Sequence, residues 1–371
     1  MKKSTMKTNP SGVSSTTGVP RGGKGKRLSI SNVLRGEPGK QRSFLETVQF
    51  AQGVKVRIPV LTVTGSSSGP LVVIMSSQHG REINGIAAIE RGFNALQPEA
   101  VSGTVVFLPV MNPLGVRMQQ QDFPSETSRY RRTGITQTFN MNRTWPDAEA
   151  AGSTYAAAVT SVVWNTYVKH ADFLLDFHGW SGHSLSLAWA HQRHVKLLRN
   201  FGFPWHLVKE NEPAKNGMSG RAGFIVGIPT IIAELAPQNI VDNSTVDIAV
   251  RSMTNLLKES GVIKGKPELP PVQFEFAQSH VETAMVTPAE GLLVCDFMKG
   301  DWVRKGQTVA RVLSLETLET LWSYQATHDA LVYNIGAGLG WGEDHLTSAV
   351  VYTGQTVGLL KKPTQIIRNR R

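Results

Sequence analysis

Short apolar runs alternate along the chain with longer stretches that mix apolar and polar residues. The runs are rich in branched residues and bounded by Gly, Pro or Asn, and they predict buried strands at 71–75, 104–110, 173–177 and 230–233. The longer stretches predict helices at 84–96, 148–169 and 245–260. This alternation predicts an α/β fold in which helices flank a mixed, mostly parallel sheet.

The pattern changes after residue 262. Residues 263–271 contain three prolines and two lysines, which is typical of a linker. Residues 272–360 contain short strand-like runs separated by Gly-Asp and Lys-Gly turns, which predict a small all-β domain. We therefore expect an α/β domain over 45–262 and a second, β domain over 272–360.

The charge of the chain is concentrated at its two ends. The formal net charge is +11, but residues 1–28 carry seven Lys and Arg, residues 361–371 carry five, and neither segment carries an acid. The remaining body has 27 basic against 28 acidic residues, so it lacks the basic surface typical of nucleic-acid binding. We interpret 1–28 as a disordered basic tail, because it has too few apolar residues to fold alone, and 361–371 as a second basic tail.

Targeting signals and cysteine content indicate the cellular compartment of the protein. Residues 1–28 lack the apolar stretch of a secretory signal, and no run of about 18 apolar residues predicts a membrane span. Cys295 is the only cysteine, so an internal disulfide and a cysteine-based zinc site are both excluded. A cytoplasmic protein without membrane contact is the expectation.

The first candidate for chemistry is the segment Ser-Ser-Gln-His-Gly-Arg-Glu-Ile-Asn-Gly at 76–85, between a predicted strand and a predicted helix. Ligands of an open α/β sheet gather at such strand ends. His79 and Glu82 are three residues apart, so an imidazole and a carboxylate can reach one metal ion from the start of a helix. The competing interpretation is a polar loop whose Glu is favoured by the helix dipole.

Two further strand ends carry polar residues. His178 closes the run 171–177 and can supply a third ligand of a His, Glu, His zinc site, with Asp176 on the same side of the strand to orient it. A hydrogen-bonded structural His is the alternative. Glu234 follows the buried run 229–233, where a nearby metal can make it a general base, or a salt bridge can make it structural.

A long polar segment, 112–147, separates the two histidines. It is too rich in Arg, Asn and Gln for a core and too long for an ordinary connection, which indicates a binding loop. Arg143 beside Asn142 can bind a substrate carboxylate, and Arg132 or a neighbour can face a developing oxyanion. A basic protein surface is the alternative for each arginine.

Together these residues resemble the succinylglutamate desuccinylase/aspartoacylase family, a branch of the zinc carboxypeptidase superfamily, over roughly 50–360. The family's motifs are His-Gly-x-Glu, Asn-Pro-x-Gly, Asp-Leu-Asn-Arg, Asp-x-His and a late Glu. They are matched in order by 79–82, 112–115, 140–143, 176–178 and Glu234. The segment from Pro288 to Ala310 is similar to the family's barrel-sandwich domain, expected to shape the active-site entrance.

The resemblance implies a mechanism and a set of roles. One zinc ion is held by His79, Glu82 and His178, and Glu234 is the general base that moves a proton from water to the leaving amine. The resemblance also implies that Asn142 and Arg143 bind the substrate. It assigns oxyanion stabilisation to Arg132. Arg129 and Arg131 are close enough in sequence to compete for that role. Asn140 replaces the Asp that begins the family motif, which removes a charge expected beside the substrate arginine.

Three functions from different classes follow. The leading one is a zinc-dependent amidohydrolase that deacylates a small N-acyl amino acid or N-acyl amine. The others are a metallocarboxypeptidase acting on a peptide or cell-wall fragment, and a non-catalytic protein that binds an acidic partner through its basic tails. The expected partner is a small-molecule substrate, and the resemblance also admits a homo-oligomer.

Overall fold

A ten-stranded mixed sheet forms the centre of the protein, and two four-stranded antiparallel sheets form a β module beside it. The computed structural model describes residues 36–49, 55–123, 140–145, 154–211, 219–279, 282–336 and 350–369. The fold class predicted from the sequence, a mostly parallel sheet flanked by helices with a smaller all-β region, is confirmed. The predicted disordered tail, 1–28, lies outside the described residues.

The central sheet contains the four predicted strands and six more. Its strand order is β1-β2-β4-β3-β5-β8-β6-β7-β9-β18, and β4-β3-β5-β8 is its continuous parallel part. The strands are β1 (Gly39–Gln49), β2 (Lys55–Thr64), β3 (Ser67–Ser76), β4 (Ser102–Leu108), β5 (Phe173–His178), β6 (Leu187–His191), β7 (Trp205–Lys209), β8 (Thr230–Glu234), β9 (Val272–Ala277) and β18 (Gln365–Arg368).

Helices cover both faces of this sheet. They are α1 (Asn84–Ala95), α2 (Pro113–Met118), α3 (Tyr155–Thr166), α4 (Val195–Phe201), α5 (Ser219–Val226) and α6 (Asn243–Glu259). Side chains that cap a free backbone N–H fix where two of them begin: Thr154 accepts from Ala157 at the start of α3, and Asp242 accepts from Thr245 at the start of α6. No helix in the described segments is long and apolar enough to cross a membrane.

The sequence of β3 explains the layered arrangement. Alternate side chains of a strand point to opposite faces, and β3 is apolar at every position from Leu71 to Met75. Val72 and Ile74 pack into the core shared with α1 and α6, whereas Leu71, Val73 and Met75 pack into the core shared with α3. A strand that is apolar on both sides must be covered on both sides, which holds its carboxyl end at a fixed place in the crevice.

The β module is built from the strands between β9 and β18. Its two sheets have the orders β10-β17-β15-β12 and β14-β13-β11-β16, with a shared apolar core. The strands are β10 (Glu282–Val286), β11 (Gly291–Cys295), β12 (Trp302–Val303), β13 (Thr308–Leu313), β14 (Thr320–Gln325), β15 (Ala330–Ile335), β16 (Val350–Val351) and β17 (Thr356–Lys361).

Two segments form strands of the central sheet, which the sequence did not predict. The sequence predicts 272–277 as part of the β domain and 361–371 as a basic tail, but β9 and β18 pair with each other at the edge of the central sheet. Apolar Ile366 and Ile367 of β18 lie opposite Phe274 and Gln273. Strand pairing at this edge needs only four residues, and such a short apolar run is hidden among basic neighbours in the sequence.

Candidate active site

The candidate site lies where three adjacent parallel strands end. His79 follows β3, His178 is the last residue of β5 and Glu234 is the last residue of β8. The order β3-β5-β8 brings these ends together, and His178 is the register partner of Glu234. The crevice beyond the carboxyl ends of parallel strands is the usual ligand site of such a sheet.

The backbone between β3 and α1 is fixed by close contacts. Ser77 has a positive φ of 56°, and its hydroxyl donates to the Glu82 carbonyl at 2.7 Å. The N–H of Gly80 donates to the Gln120 carbonyl at 3.0 Å. A side chain at position 80 would place its Cβ 2.1 Å from the Gly115 carbonyl carbon, so only glycine fits. This packing holds His79 and Glu82 on one side of the loop.

The three predicted ligands meet around the carboxylate of Glu82. Its Oε1 lies 2.8 Å from His79 Nδ1, and its Oε2 lies 3.0 Å from His178 Nδ1. One ligand atom from each of the three residues lies within 4.8 Å of the other two. All three side chains are buried. They form a compact N₂O donor set of the kind that binds zinc in hydrolases, and the three residues His79, Glu82 and His178 are called the metal group below.

Hydrogen bonds to the far side of each ring determine which nitrogen carries the proton. Asp176 Oδ2 lies 2.9 Å from His178 Nε2, and a carboxylate can only accept, so that nitrogen donates. Asn140 Oδ1 lies 3.0 Å from His79 Nε2 and also accepts the backbone N–H of Asn142 at 2.9 Å, so it too is an acceptor. In the neutral imidazoles, the form that binds a metal, both Nδ1 lone pairs therefore point to the centre of the group. The donor set fits a divalent metal.

The side chain of Asn140 contacts a predicted metal ligand. The short 3₁₀ turn Met141–Arg143 begins after Asn140 and directs its side chain to His79. The sequence predicts that the charge missing at this position matters beside the substrate arginine, and the Asn140 carbonyl accepts the backbone N–H of Arg143 at 2.9 Å. The replacement of Asp by Asn in the motif therefore also changes the partner of His79.

Asp176 is held by two residues that sequence reasoning did not find. Gln78 Nε2 donates to Asp176 Oδ2 at 2.6 Å, and Ser219 Oγ donates to the same oxygen at 2.6 Å. The indole N–H of Trp145 donates to Gln78 Oε1 at 2.8 Å, which fixes the orientation of that amide. Gln78 had one usable signal, a polar residue beside His79. Ser219 has none, since 43 positions separate it from its partner.

The electrostatics of the group favour a cation at its centre. Burial alone would raise the pKa of Glu82, but the adjacent imidazoles of His79 and His178 lower it to about 2. Burial opposes the protonation of His178, yet Asp176 and Glu82 raise its pKa well above the usual range. Burial likewise opposes the protonation of His79, and Glu82 raises its pKa in the same way. Positive charge is thus stabilised where the three ligand atoms converge.

The pKa of Glu234 is raised, whereas that of Glu82 is lowered. Burial raises its pKa to about 7, with Glu82 adding to the increase and His178 opposing it. A carboxyl group with a pKa near neutrality can both accept and return a proton at physiological pH. Its position one strand away from His178 gives it access to the same crevice.

The remaining predicted residues are placed less completely. Asn142 is buried, with its Oδ1 accepting the backbone N–H of Ser219 at 3.0 Å, and its NH₂ group lies 3.4 Å from His178 Nε2, beside the metal group. Arg143 is half-buried and donates to the Asn142 carbonyl at 2.6 Å. Arg132 lies outside the described residues, as do its competitors Arg129 and Arg131.

Trp145 and Trp180, both candidates for pocket or core, differ in surroundings. Trp145 is completely buried in the core between β3 and α3, where it packs edge-on against Trp164. Trp180 packs edge-on against Tyr333 of the β module, and its N–H donates to the Leu185 carbonyl at 2.7 Å. Trp145 is thus a core residue, and Trp180 lies at the contact between the central sheet and the module.

Comparison with known proteins finds a matching family model and a related enzyme. A model of the succinylglutamate desuccinylase/aspartoacylase catalytic domain matches residues 68–260, more than half of the chain. The N-alpha-acetyl-L-2,4-diaminobutyric acid deacetylase of Halomonas elongata is 26% identical over 313 residues, which cover 75% of this chain and 86% of that protein.

Solved structures share the fold. The product-bound ectoine utilization protein of Ruegeria pomeroyi superimposes with a TM-score of 0.68 at 20% identity, covering 88% of this chain and 96% of that one. A succinylglutamate desuccinylase/aspartoacylase of Rhodobacter sphaeroides gives a TM-score of 0.65 at 22% identity, covering 89% and 97%. Both likenesses extend through the central sheet and the β module.

Proposed function

Because the chain belongs to the succinylglutamate desuccinylase/aspartoacylase family, we propose that it is a zinc-dependent amidohydrolase. Its substrate in this proposal is a small N-acyl amino acid or a related N-acyl amine, in line with the deacetylase activity named for the Halomonas elongata relative. The observation that carries the proposal is the convergence of one ligand atom each from His79, Glu82 and His178 within 4.8 Å. The Nδ1 atoms of both histidines lie against the Glu82 carboxylate, and Glu234 is the register partner of His178.

His79, Glu82 and His178 would hold the metal through these atoms. Zinc bound there would supply Lewis-acid chemistry, lowering the pKa of a water to about 7 and polarising an amide carbonyl. The chain's own contribution is to keep the two Nδ1 lone pairs directed inward, through Asp176 and Asn140, and to bury the ligands away from competing solvent.

Glu234 would move the proton. It accepts one proton from water as the oxygen attacks the amide carbon, and it returns that proton to the amine nitrogen as the carbon–nitrogen bond breaks. A pKa of about 7 suits both directions of transfer. The products are a carboxylic acid and a free amine.

Asn142 and Arg143 would bind a carboxylate of the substrate. The Oδ1 of Asn142 is occupied by the Ser219 N–H, so its amide can only donate toward a ligand, and a carboxylate can only accept. We assign the stabilisation of the tetrahedral oxyanion to Arg132. The β module, from β10 to β17, would shape the entrance to the site, and we place the reaction in the cytoplasm.

The test is metal content and substrate choice together. Elemental mass spectrometry of the wild type should find about one zinc per chain, with zinc lost in His79→Ala and His178→Ala. Zinc should be retained in the control His328→Ala, which changes a half-buried histidine between β14 and β15 of the β module. Hydrolysis of N-acetyl amino acids should exceed that of dipeptides. A wild type that neither contains nor takes up zinc would refute the proposal, and a preference for dipeptides would favour a metallocarboxypeptidase.

A further inference from the structure

Ser219 connects two parts of the candidate site that are distant in sequence. It is the first residue of α5 and is buried, with 1% of its surface exposed. Its hydroxyl lies 2.6 Å from Asp176 Oδ2, and its backbone N–H donates to Asn142 Oδ1 at 3.0 Å. One residue therefore contacts both the carboxylate behind His178 and the amide proposed to bind substrate.

The direction of these bonds is determined by chemistry. Asp176 can only accept, so the Ser219 hydroxyl donates to it and cannot act as an acceptor there. Oδ2 of Asp176 receives three bonds, from Gln78, Ser219 and His178, whereas the buried Oδ1 has no partner within the described residues. All the hydrogen bonds that orient this carboxylate thus act through one oxygen.

Two hydrogen-bond donors hold the Asp176 carboxylate, and this carboxylate in turn positions His178. Gln78 and Ser219 approach Oδ2 from different elements, the β3–α1 loop and α5, and together they fix the carboxylate on two sides. Without the hydroxyl, Asp176 can rotate and offer its unpartnered Oδ1, and the bond to His178 Nε2 loses its defined geometry. A displaced imidazole directs its Nδ1 away from Glu82.

We propose that Ser219 is a positioning residue for the metal group, acting through Asp176 on His178. The proposal rests on the proposed function, and it adds the start of α5 to the parts of the chain that determine metal affinity. Through its backbone bond to Asn142, the same residue keeps the substrate-binding amide and the metal ligand in a fixed relation.

The test measures zinc affinity by competition with a chelating dye, using the full chain. Ser219→Ala removes the hydroxyl but keeps the backbone bond to Asn142, and it should raise the zinc dissociation constant about 10- to 100-fold. Ser219→Thr keeps a hydroxyl and should restore the affinity to within about threefold of the wild type. At saturating zinc, the KM of Ser219→Ala for the best N-acyl amino acid should stay near the wild-type value.

Ser252→Ala is the matched control. Ser252 is a fully buried serine of α6 whose hydroxyl has no partner within the described residues, so its loss tests the removal of a buried hydroxyl without touching the site. Zinc affinity in Ser252→Ala should equal that of the wild type, and the metal-free Tm of the two Ala variants should be similar.

The outcomes separate this inference from the proposed function. A wild type that binds no zinc refutes the proposed function itself. A wild type that binds zinc, with Ser219→Ala binding it equally well, refutes only the role of Ser219. The role is also refuted if the folded fraction of Ser219→Ala is less stable but keeps its zinc affinity, or if Thr fails to restore that affinity.

Discussion

His178 and Glu234 are register partners at the carboxyl ends of two neighbouring parallel strands, β5 and β8. Adjacent strands in a sheet lie about 4.8 Å apart, so this pairing places the proposed base one strand away from a proposed ligand. The distance between them is therefore set by the hydrogen bonds of the sheet and does not depend on a loop. Ligand binding and proton transfer can accordingly be separated by mutation.

Glu234→Gln should abolish turnover and leave the metal in place. The amide cannot accept a proton, so we expect kcat to fall by about 10²- to 10⁴-fold. Zinc content should remain at the wild-type value, because the substituted amide keeps the shape of the side chain and the three ligand residues are unchanged. Steady-state kinetics with elemental analysis provides both readouts. Loss of zinc in this variant would mean that Glu234 is a ligand.

The pH profile should report the same residue. Glu234 must be ionised to accept a proton, so kcat/KM should rise with pH through the pKa of this group, which burial raises to about 7. A bound cation favours the ionised carboxylate, so the acid limb in the zinc-loaded enzyme should lie at or below about pH 7. The residual activity of Glu234→Gln should lack this limb. If the limb persists in the variant, another group is the base.

Asn140→Asp should bind zinc more tightly. The neutral amide oxygen at position 140 now accepts from His79 Nε2 at 3.0 Å, and a carboxylate there would make this bond charge-assisted. We expect the zinc dissociation constant to fall about 3- to 10-fold. Alkaline pH suits the measurement, because Glu82 raises the pKa of His79 and protons compete with zinc for this imidazole at lower pH. Chelator competition measures it. Weaker binding would show that the added buried charge outweighs the stronger hydrogen bond.

Gly80→Ala should damage the loop that carries two of the ligands. The new Cβ would lie 2.1 Å from the Gly115 carbonyl carbon and 2.5 Å from the Gln120 carbonyl oxygen, so one backbone segment must move. We expect a loss of about 1 to 3 kcal/mol in unfolding free energy and weaker zinc binding. Gly36→Ala is the control, because its Cβ would be 3.5 Å from the nearest atom, in the Gln41 side chain. Equal effects of the two changes would contradict the argument.

Glu275 should make the fold sensitive to acid at a point remote from the site. Arg199 binds its carboxylate through two nitrogens at 2.8 and 2.9 Å, and His206 Nε2 lies 3.1 Å away. Burial alone would raise the pKa of Glu275, but His206 and Arg199 lower it from 4.5 to about 2. A carboxyl group with a lower pKa in the folded state stabilises the fold above about pH 4.5, and this contribution disappears as the pH falls toward 2.

Glu275→Gln should therefore lose about 2 to 3 kcal/mol of stability at neutral pH, with the difference from wild type shrinking below pH 4.5. Urea unfolding of the metal-free proteins at several pH values measures this. The exposed Glu316→Gln is the control and should match the wild type throughout. A constant difference between Glu275→Gln and wild type across the acid range would exclude the ion pair as its cause.

The parts of the site that sequence reasoning identified are those next to strong local patterns. Two of them, His178 and Glu234, directly follow an apolar run, and His79 and Glu82 lie in the polar segment that follows another. Such runs indicate buried strands without knowledge of the rest of the fold. The end of a buried strand is where a polar residue needs an explanation, so chemistry could be assigned to these positions. Because parallel strands end at the same edge of a sheet, these residues could also be expected to lie in one crevice.

What could not be predicted depends on partners that meet only in the folded chain. Ser219, at the start of α5, carries no local pattern, and its proposed role comes from its contact with Asp176 of β5. The contact between Asn140 and His79 could not be predicted, because the turn that directs this side chain to His79 is not visible in residue types. Strand β18 could not be predicted because four residues with mixed character have no periodicity to detect.

The pairing of β9 with β18 has an architectural consequence. The chain leaves the central sheet after Ala277 and returns to its neighbouring strand at Gln365, so the β module is inserted between two adjacent edge strands. Deleting the chain from the module onward would therefore also remove an edge of the sheet. A shorter chain that joins 277 to 365 with a short hairpin turn would keep both edge strands, and exchanging the module for that of a relative would test its proposed role at the entrance.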